Sequence, residues 1–70
     1  MPKVGATYKH YKGALYKVLF IATQSDTEET LVVYQDIAHP EKVWVRLPEM
    51  FMGSAEWEGK KVPKFTYIEG

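Results

Sequence analysis

The run Leu15-Tyr16-Lys17-Val18-Leu19-Phe20-Ile21-Ala22 is the longest apolar stretch in the chain, and it limits what the rest can become. It is short, bounded by Gly13 on one side and by the polar Thr23-Gln24-Ser25-Asp26-Thr27 on the other. Its β-branched, aromatic and leucine side chains favour extended backbone over a helix. Lys17 sets Tyr16 and Val18 on the opposite face, which reads as inward. Alternation then fails at Leu19-Phe20-Ile21. Either both faces are covered there, or a bulge re-phases the strand. The segment reads as the central strand of a small β protein.

The remaining elements arrange themselves around that strand. Met1 to Gly5 reads as a loose lead-in, Ala6 to Tyr11 as a first strand, and Lys12-Gly13 as the turn between them. Gln24 to Thr30 forms a loop with a reversal near Ser25-Asp26, after which Leu31 to Tyr34 pairs back on the central strand. His39-Pro40 marks the next loop, from Asp36 to Lys42. Val43 to Arg46 alternates, with Val43 and Val45 expected inward and Trp44 and Arg46 outward. Pro48 to Met52 reads as one helical turn started by proline. Ser54–Trp57 and Val62–Ile68 are expected to form a hairpin through Glu58-Gly59-Lys60, with Pro63 confining it to an edge. This predicts an all-β fold: a small SH3-like barrel of five or six short strands with one helical turn near residues 48–52.

Seventy residues support a single domain, 1–70, with its core between about 6 and 68. A chain of this size has a folded surface of roughly 4,500 Å² and buries about 60% of what its extended form exposes. One thin core results, and a shallow surface site is expected ahead of a deep catalytic cavity. The chain has no cysteine, which excludes thiolate zinc sites, iron–sulfur clusters and cysteine nucleophiles and favours a reducing cytoplasm. No apolar run is long enough to span a membrane. Net charge is zero, so the whole molecule exerts no strong pull on nucleic acid. Four lysines (Lys3, Lys9, Lys12, Lys17) precede residue 21, and five acids (Asp26, Glu28, Glu29, Asp36, Glu41) lie between 24 and 41. Adjacent antiparallel strands would bring these groups side by side.

In order along the chain, His10-Tyr11-Lys12-Gly13, Leu15-Tyr16-Lys17-Val18-Leu19, Val32-Val33-Tyr34, Trp44-Val45-Arg46 and Met50-Phe51 resemble the bacterial family DUF1653. The resemblance runs from about Tyr8 to Ile68. It implies a small bacterial cytoplasmic domain of unknown function and supplies no catalytic residues. The chain departs from the family's usual pattern at Ala14 and Phe20, where glycine is common, and at Gln24, where histidine is common. The proline that follows the arginine is displaced here to Pro48.

Few constellations carry chemistry. His10 has a side chain suited to proton transfer or ligation, but the only other histidine is His39 and no acid stands at ligand spacing from both. No metal or other cofactor is therefore assigned. Ser25-Asp26-Thr27 lacks the glycines of a nucleophile elbow and reads as an Asx-type turn. No phosphate-cradling glycine motif is present. No catalytic residue is assigned, and the chain reads as a binding module rather than an enzyme. Ten residues are aromatic, more than a core this small can hide. Tyr8, His10 and Lys12 share a face by period two; with Tyr34, Trp44 and Arg46 they would form an aromatic and basic surface. A protein or peptide segment is the expected partner. The alternatives are RNA or other single-stranded nucleic acid held by base stacking, a small-molecule or catalytic site centred on His10, and a homodimer seam.

Overall fold

The computed structural model describes all residues, Met1–Gly70. Four strands follow one another as a meander: β1 (Thr7–His10), β2 (Leu15–Thr23), β3 (Thr30–Asp36) and β4 (Val43–Arg46). A helical turn, α1 (Pro48–Phe51), and the strands β5 (Ser54–Trp57), β6 (Lys60–Pro63) and β7 (Phe65–Glu69) complete the chain. β7 returns to β1, giving a five-stranded antiparallel sheet of order β4-β3-β2-β1-β7; β5 and β6 pair only with each other. Gly13 makes the first reversal at φ +109°, a backbone angle that side chains with a Cβ rarely adopt.

The broken alternation in β2 is a bulge. Val18 lies opposite Tyr34 and Phe20 opposite Val33, so Leu19 is the extra residue. Inserting it lets Val18 and Ile21 share the inner face, with Ile21 opposite the buried Val32. The inner face holds Tyr8, Val18, Val32, Tyr34 and Phe65, and Ala6 joins them from the lead-in. The core is closed by Phe51 of α1, which stacks on Phe65 at 4.1 Å and meets Tyr8 and Tyr34 edge-on, each at 5.3 Å. Pro48 starts the turn, and the Leu47 carbonyl accepts from the N–H groups of Met50 and Phe51. The four residues of α1 matter because they aim one ring into the core.

The expected all-β chain with one helical turn near 48–52 is what the structure has, but with seven strands in two sheets that do not close into a barrel. Between β4 and β7 the chain is committed to α1 and the β5–β6 hairpin, so those two edges never exchange hydrogen bonds. Side chains bridge them instead: the Arg46 guanidinium of β4 lies 5.7 Å from the ring centre of Phe65 in β7. The sheet must therefore curl. Residues 62–68 are not one strand, because β6 ends at Pro63, and Lys64 N–H bonds to the Gly53 carbonyl before β7 leaves for β1. The surface, 4851 Å², exceeds the roughly 4,500 Å² expected for a compact chain of this length. The molecule is elongated, 38 × 24 × 20 Å.

Three further expectations change. The lead-in is not loose: Lys3 N–H donates to the Tyr8 hydroxyl, Gly5 N–H donates to the Val18 carbonyl, and Pro2 is buried. The valines of β4 do not point inward. Val43 and Val45 are half exposed on the outer face, and Trp44 and Arg46 take the inner one, opposite Tyr34 and Val32. The lysine-rich and acidic stretches do not pair either. Lys17 faces Gln35, most of the acids lie in loops, and the one ion pair within 4 Å is His39–Glu41 at 3.9 Å. No helix is long and apolar enough to cross a membrane.

Candidate functional site

Strand register decides which side chains meet. Directly opposed residues of antiparallel strands share a face. Tyr8 faces Tyr16, Tyr34 faces both Val18 and Trp44, Arg46 faces Val32, and His10 faces Phe65. Five of the six candidates, Tyr8, His10, Tyr34, Trp44 and Arg46, thus lie on the inner face, while Lys12 occupies the β1–β2 turn. The shared face is also the core face. Tyr8 and Tyr34 are 6% and 4% exposed, so they support the surface rather than present it. His10 and Arg46 are half-buried, and Trp44 and Lys12 are exposed.

The rings form a connected set. His10 lies 4.4 Å from Tyr11, nearly parallel at 30°, and meets Phe65 edge-on at 5.1 Å. Tyr11 continues the row to Trp57 of the separate hairpin at 5.4 Å. On the other side Tyr16 contacts Tyr34 and Phe65 at 5.4 and 5.6 Å. Arg46 covers Phe65, and its Nε donates to the Tyr34 hydroxyl at 2.7 Å. The terminal nitrogens of its guanidinium make no hydrogen bond to protein. Sequence reasoning missed Tyr11, Tyr16, Trp57, Lys64 and Phe65 as members of this surface. Tyr11 and Tyr16 adjoin named candidates, but Phe65 arrives because β6 stops at Pro63, and Trp57 comes from the separate hairpin.

Around His10 the electrostatics are cationic, while Asp36 stands opposite Tyr16 on the same face. His10 is held below its usual pKa of 6.5, first by burial and then by Arg46, Lys12 and Lys64. Its Nδ1 accepts from the Lys12 N–H at 3.1 Å, so the ring is neutral with its proton on Nε2 near pH 7. Tyr16 is raised above 10.0, first by burial and then by Asp36 and Tyr34, with Arg46 acting the other way. No carboxylate lies within 4 Å of Arg46, Lys12 or Lys64, and Glu49 does not pair with Arg46.

Other chemistry finds little support. No three His, Asp or Glu side chains converge as metal ligands. The one surface depression, about 450 Å³ and lined by Ser54, Ala55, Glu56, Gly59 and Lys61, contains none of the candidates. Ser25-Asp26-Thr27 forms the β2–β3 turn, with Asp26 N–H bonded to Gln24 Oε1. His10 lies by the opposite end of β2, about 20 Å or more away at strand rise.

A sequence model described as a protein of unknown function, DUF1653, matches residues 6–67. The chain belongs to the DUF1653 family. A DUF1653 protein of Bordetella bronchiseptica, known from its crystal structure, is 27% identical and superposes with a TM-score of 0.81. The match covers 96% of this chain and 88% of that one. No curated protein matches. Membership in DUF1653 fixes the fold and assigns no chemistry, so the roles of His10, Arg46 and their neighbours rest on geometry.

Proposed function

We propose that this DUF1653 chain is a binding module of the bacterial cytoplasm that holds an acidic protein segment against its His10–Arg46 face. The observation that carries this reading is the unpaired cationic set on a bed of rings. Arg46 is fixed by Tyr34 and Phe65, yet its guanidinium fork has no acid. A carboxylate on that fork would gain two parallel charge-assisted hydrogen bonds. Lys12 and Lys64 add to the same field, and Tyr11, Trp57 and Trp44 offer flat apolar area of the kind that anchors interfaces. The absence of cysteine accords with a reducing compartment.

Amide NMR titration of the labelled domain tests the reading, using a short peptide that alternates glutamate with leucine, its glutamine counterpart, and a single-stranded RNA. The glutamate peptide is expected to shift His10–Lys12, Tyr16, Trp44–Arg46 and Lys64, and the glutamine peptide to leave them still. Arg46→Ala should weaken binding about 10- to 100-fold, the value of a charge-assisted hydrogen bond. Saturable RNA binding whose affinity falls steeply with salt would replace the peptide by a nucleic acid. Silence toward all three would end the proposal.

A further inference from the structure

We infer that β4 is a pairing edge for a second copy of this chain, and that the partner's Trp44 packs on Arg46 across a two-fold axis. The inference goes beyond the binding proposal and does not depend on it.

Edge strands invite pairing unless something blunts them. β4 pairs with β3 alone, without a register shift. Its residues Val43-Trp44-Val45-Arg46 include no proline, lysine or acid. The other edge, β7, ends in Glu69, follows Pro63-Lys64 and is bulged against β1. Asp36 N–H donates to the Lys42 carbonyl, which fixes the alternation along β4. Even-numbered residues bond to β3, and the N–H and C=O groups of Val43 and Val45 point to the open side.

Three two-fold registers would use those groups. Centred on Val43, the pairing needs Glu41 to bond opposite the partner's Val45, but Glu41 lies in the turn that Lys42 N–H closes on the His39 carbonyl. Centred on Trp44, it sets Lys42 opposite the partner's Arg46, a like-charge clash made twice. Centred on Val45, it sets Trp44 opposite the partner's Arg46 and Arg46 opposite the partner's Trp44. These fall in the closer, non-hydrogen-bonded positions of the ladder, where ring and guanidinium meet best. Only this last register opposes no like charges and draws its bonds from extended backbone, Leu47 included at φ −65° and ψ 146°. It supplies paired bonds between the two Val45 backbones, plus one from each Leu47 N–H to the partner's Val43 carbonyl. The Leu47 carbonyl already serves α1, so Val43 N–H stays free.

The outer face points to the same occupant. Phe20, Val33 and Val45 stand opposite one another across β2, β3 and β4, with Phe20 65% and Val45 58% exposed. This apolar row stops at the open edge. A second copy in the Val45-centred register continues it through the partner's Val45, Val33 and Phe20, and a chain of zero net charge meets its copy without net repulsion. On the inner face Arg46 then lies between its own Phe65 and the partner's Trp44.

Light scattering across a concentration series, together with hydrogen exchange on the unaltered protein, tests this pairing. The mass is expected to rise from 8.1 kDa toward twice that value. Because the strand contact is short, the rise should fall between about 10 μM and 1 mM. Val45 and Leu47 amides should gain protection with concentration, and Val43 should not. Val45→Pro removes the pairing donor without touching the β3–β4 ladder, and Val45→Lys opposes two charges at the axis. Both should remain at 8.1 kDa. Trp44→Ala should weaken association about five- to thirty-fold, for two ring–cation contacts. Val45→Lys lies on the outer face, so it should still bind acidic peptide, which separates failure of the dimer from failure of the binding proposal. A mass of 8.1 kDa throughout would overturn the inference. So would a dimer indifferent to both Val45 variants, or protection confined to β7. The exchange experiment stands even if a variant fails to fold.

Discussion

Truncating Phe51 should nearly unfold the domain, although the residue belongs to a helical turn of only four residues. Its side chain is fully buried, stacked on Phe65 at 4.1 Å and edge-on to Tyr8 and Tyr34 at 5.3 Å. An aromatic side chain removes about 150–250 Å² from water. At about 25 cal/mol per Å² that is about 4–6 kcal/mol. Alanine retains a small part of it and leaves a cavity, and measured Phe→Ala costs fall at about 3–5 kcal/mol. Three ring–ring contacts place Phe51→Ala at the upper end, near 4 kcal/mol. A 70-residue domain has about 3.5–10 kcal/mol in total. Urea unfolding followed by tryptophan fluorescence should show the midpoint collapsing with little change in slope, and Tm should fall by about 15–30 °C. Phe51→Leu, which refills most of the cavity, should cost less than half as much. A loss below about 1.5 kcal/mol for the alanine variant would refute the view that α1 exists to close the core.

Tyr34→Phe keeps the ring and removes the acceptor for Arg46 Nε, so it should cost about 0.5–1.5 kcal/mol in chemical denaturation and weaken acidic-peptide binding by loosening Arg46. Gly13→Ala meets no atom within 4 Å but forces an L side chain to φ +109°; a loss of about 1–3 kcal/mol is expected from backbone strain alone. The lowered pKa of His10 makes stability fall as pH drops from 6.5 toward the native value, because the unfolded chain takes up a proton that the native chain resists. Below the native value that contribution levels off, and His10→Asn, which keeps an acceptor for Lys12 N–H, should flatten this part of the pH–stability curve.

Local signals were legible where a single residue dictates backbone. Gly13, the failed alternation at Leu19 and Pro48 each marked a turn, a bulge or a helical start that the structure contains. The pairing of Trp44 with Arg46 on one face was legible too, since a period of two fixes which residues travel together. Which face is inner was not. Valine is the more apolar choice, but the interior is built from tyrosine and phenylalanine rings, and Arg46 suits it by donating to a tyrosine hydroxyl while lying over a ring. Such a choice depends on Phe51 and Phe65 arriving from distant segments, which no local pattern encodes. The break at Pro63-Lys64 is a different case. Proline signals an edge in a sequence, whereas here it marks the passage from one sheet to another.

The β1–β7 pairing has a consequence for the order of events in folding. β1 to β4 are joined by short loops and can zip up as neighbours, whereas β7 must find β1 across all the intervening elements, with Thr7 opposite Glu69. The entropy of closing so long a loop makes this the late step. Phe65 reaches the core only with β7, so Phe51 has no stacking partner until that step is complete. Mutations at Phe65 should therefore speed unfolding and leave the folding rate nearly untouched, with a φ-value near zero. Until β7 pairs, the chain holds a four-stranded intermediate with an open aromatic face.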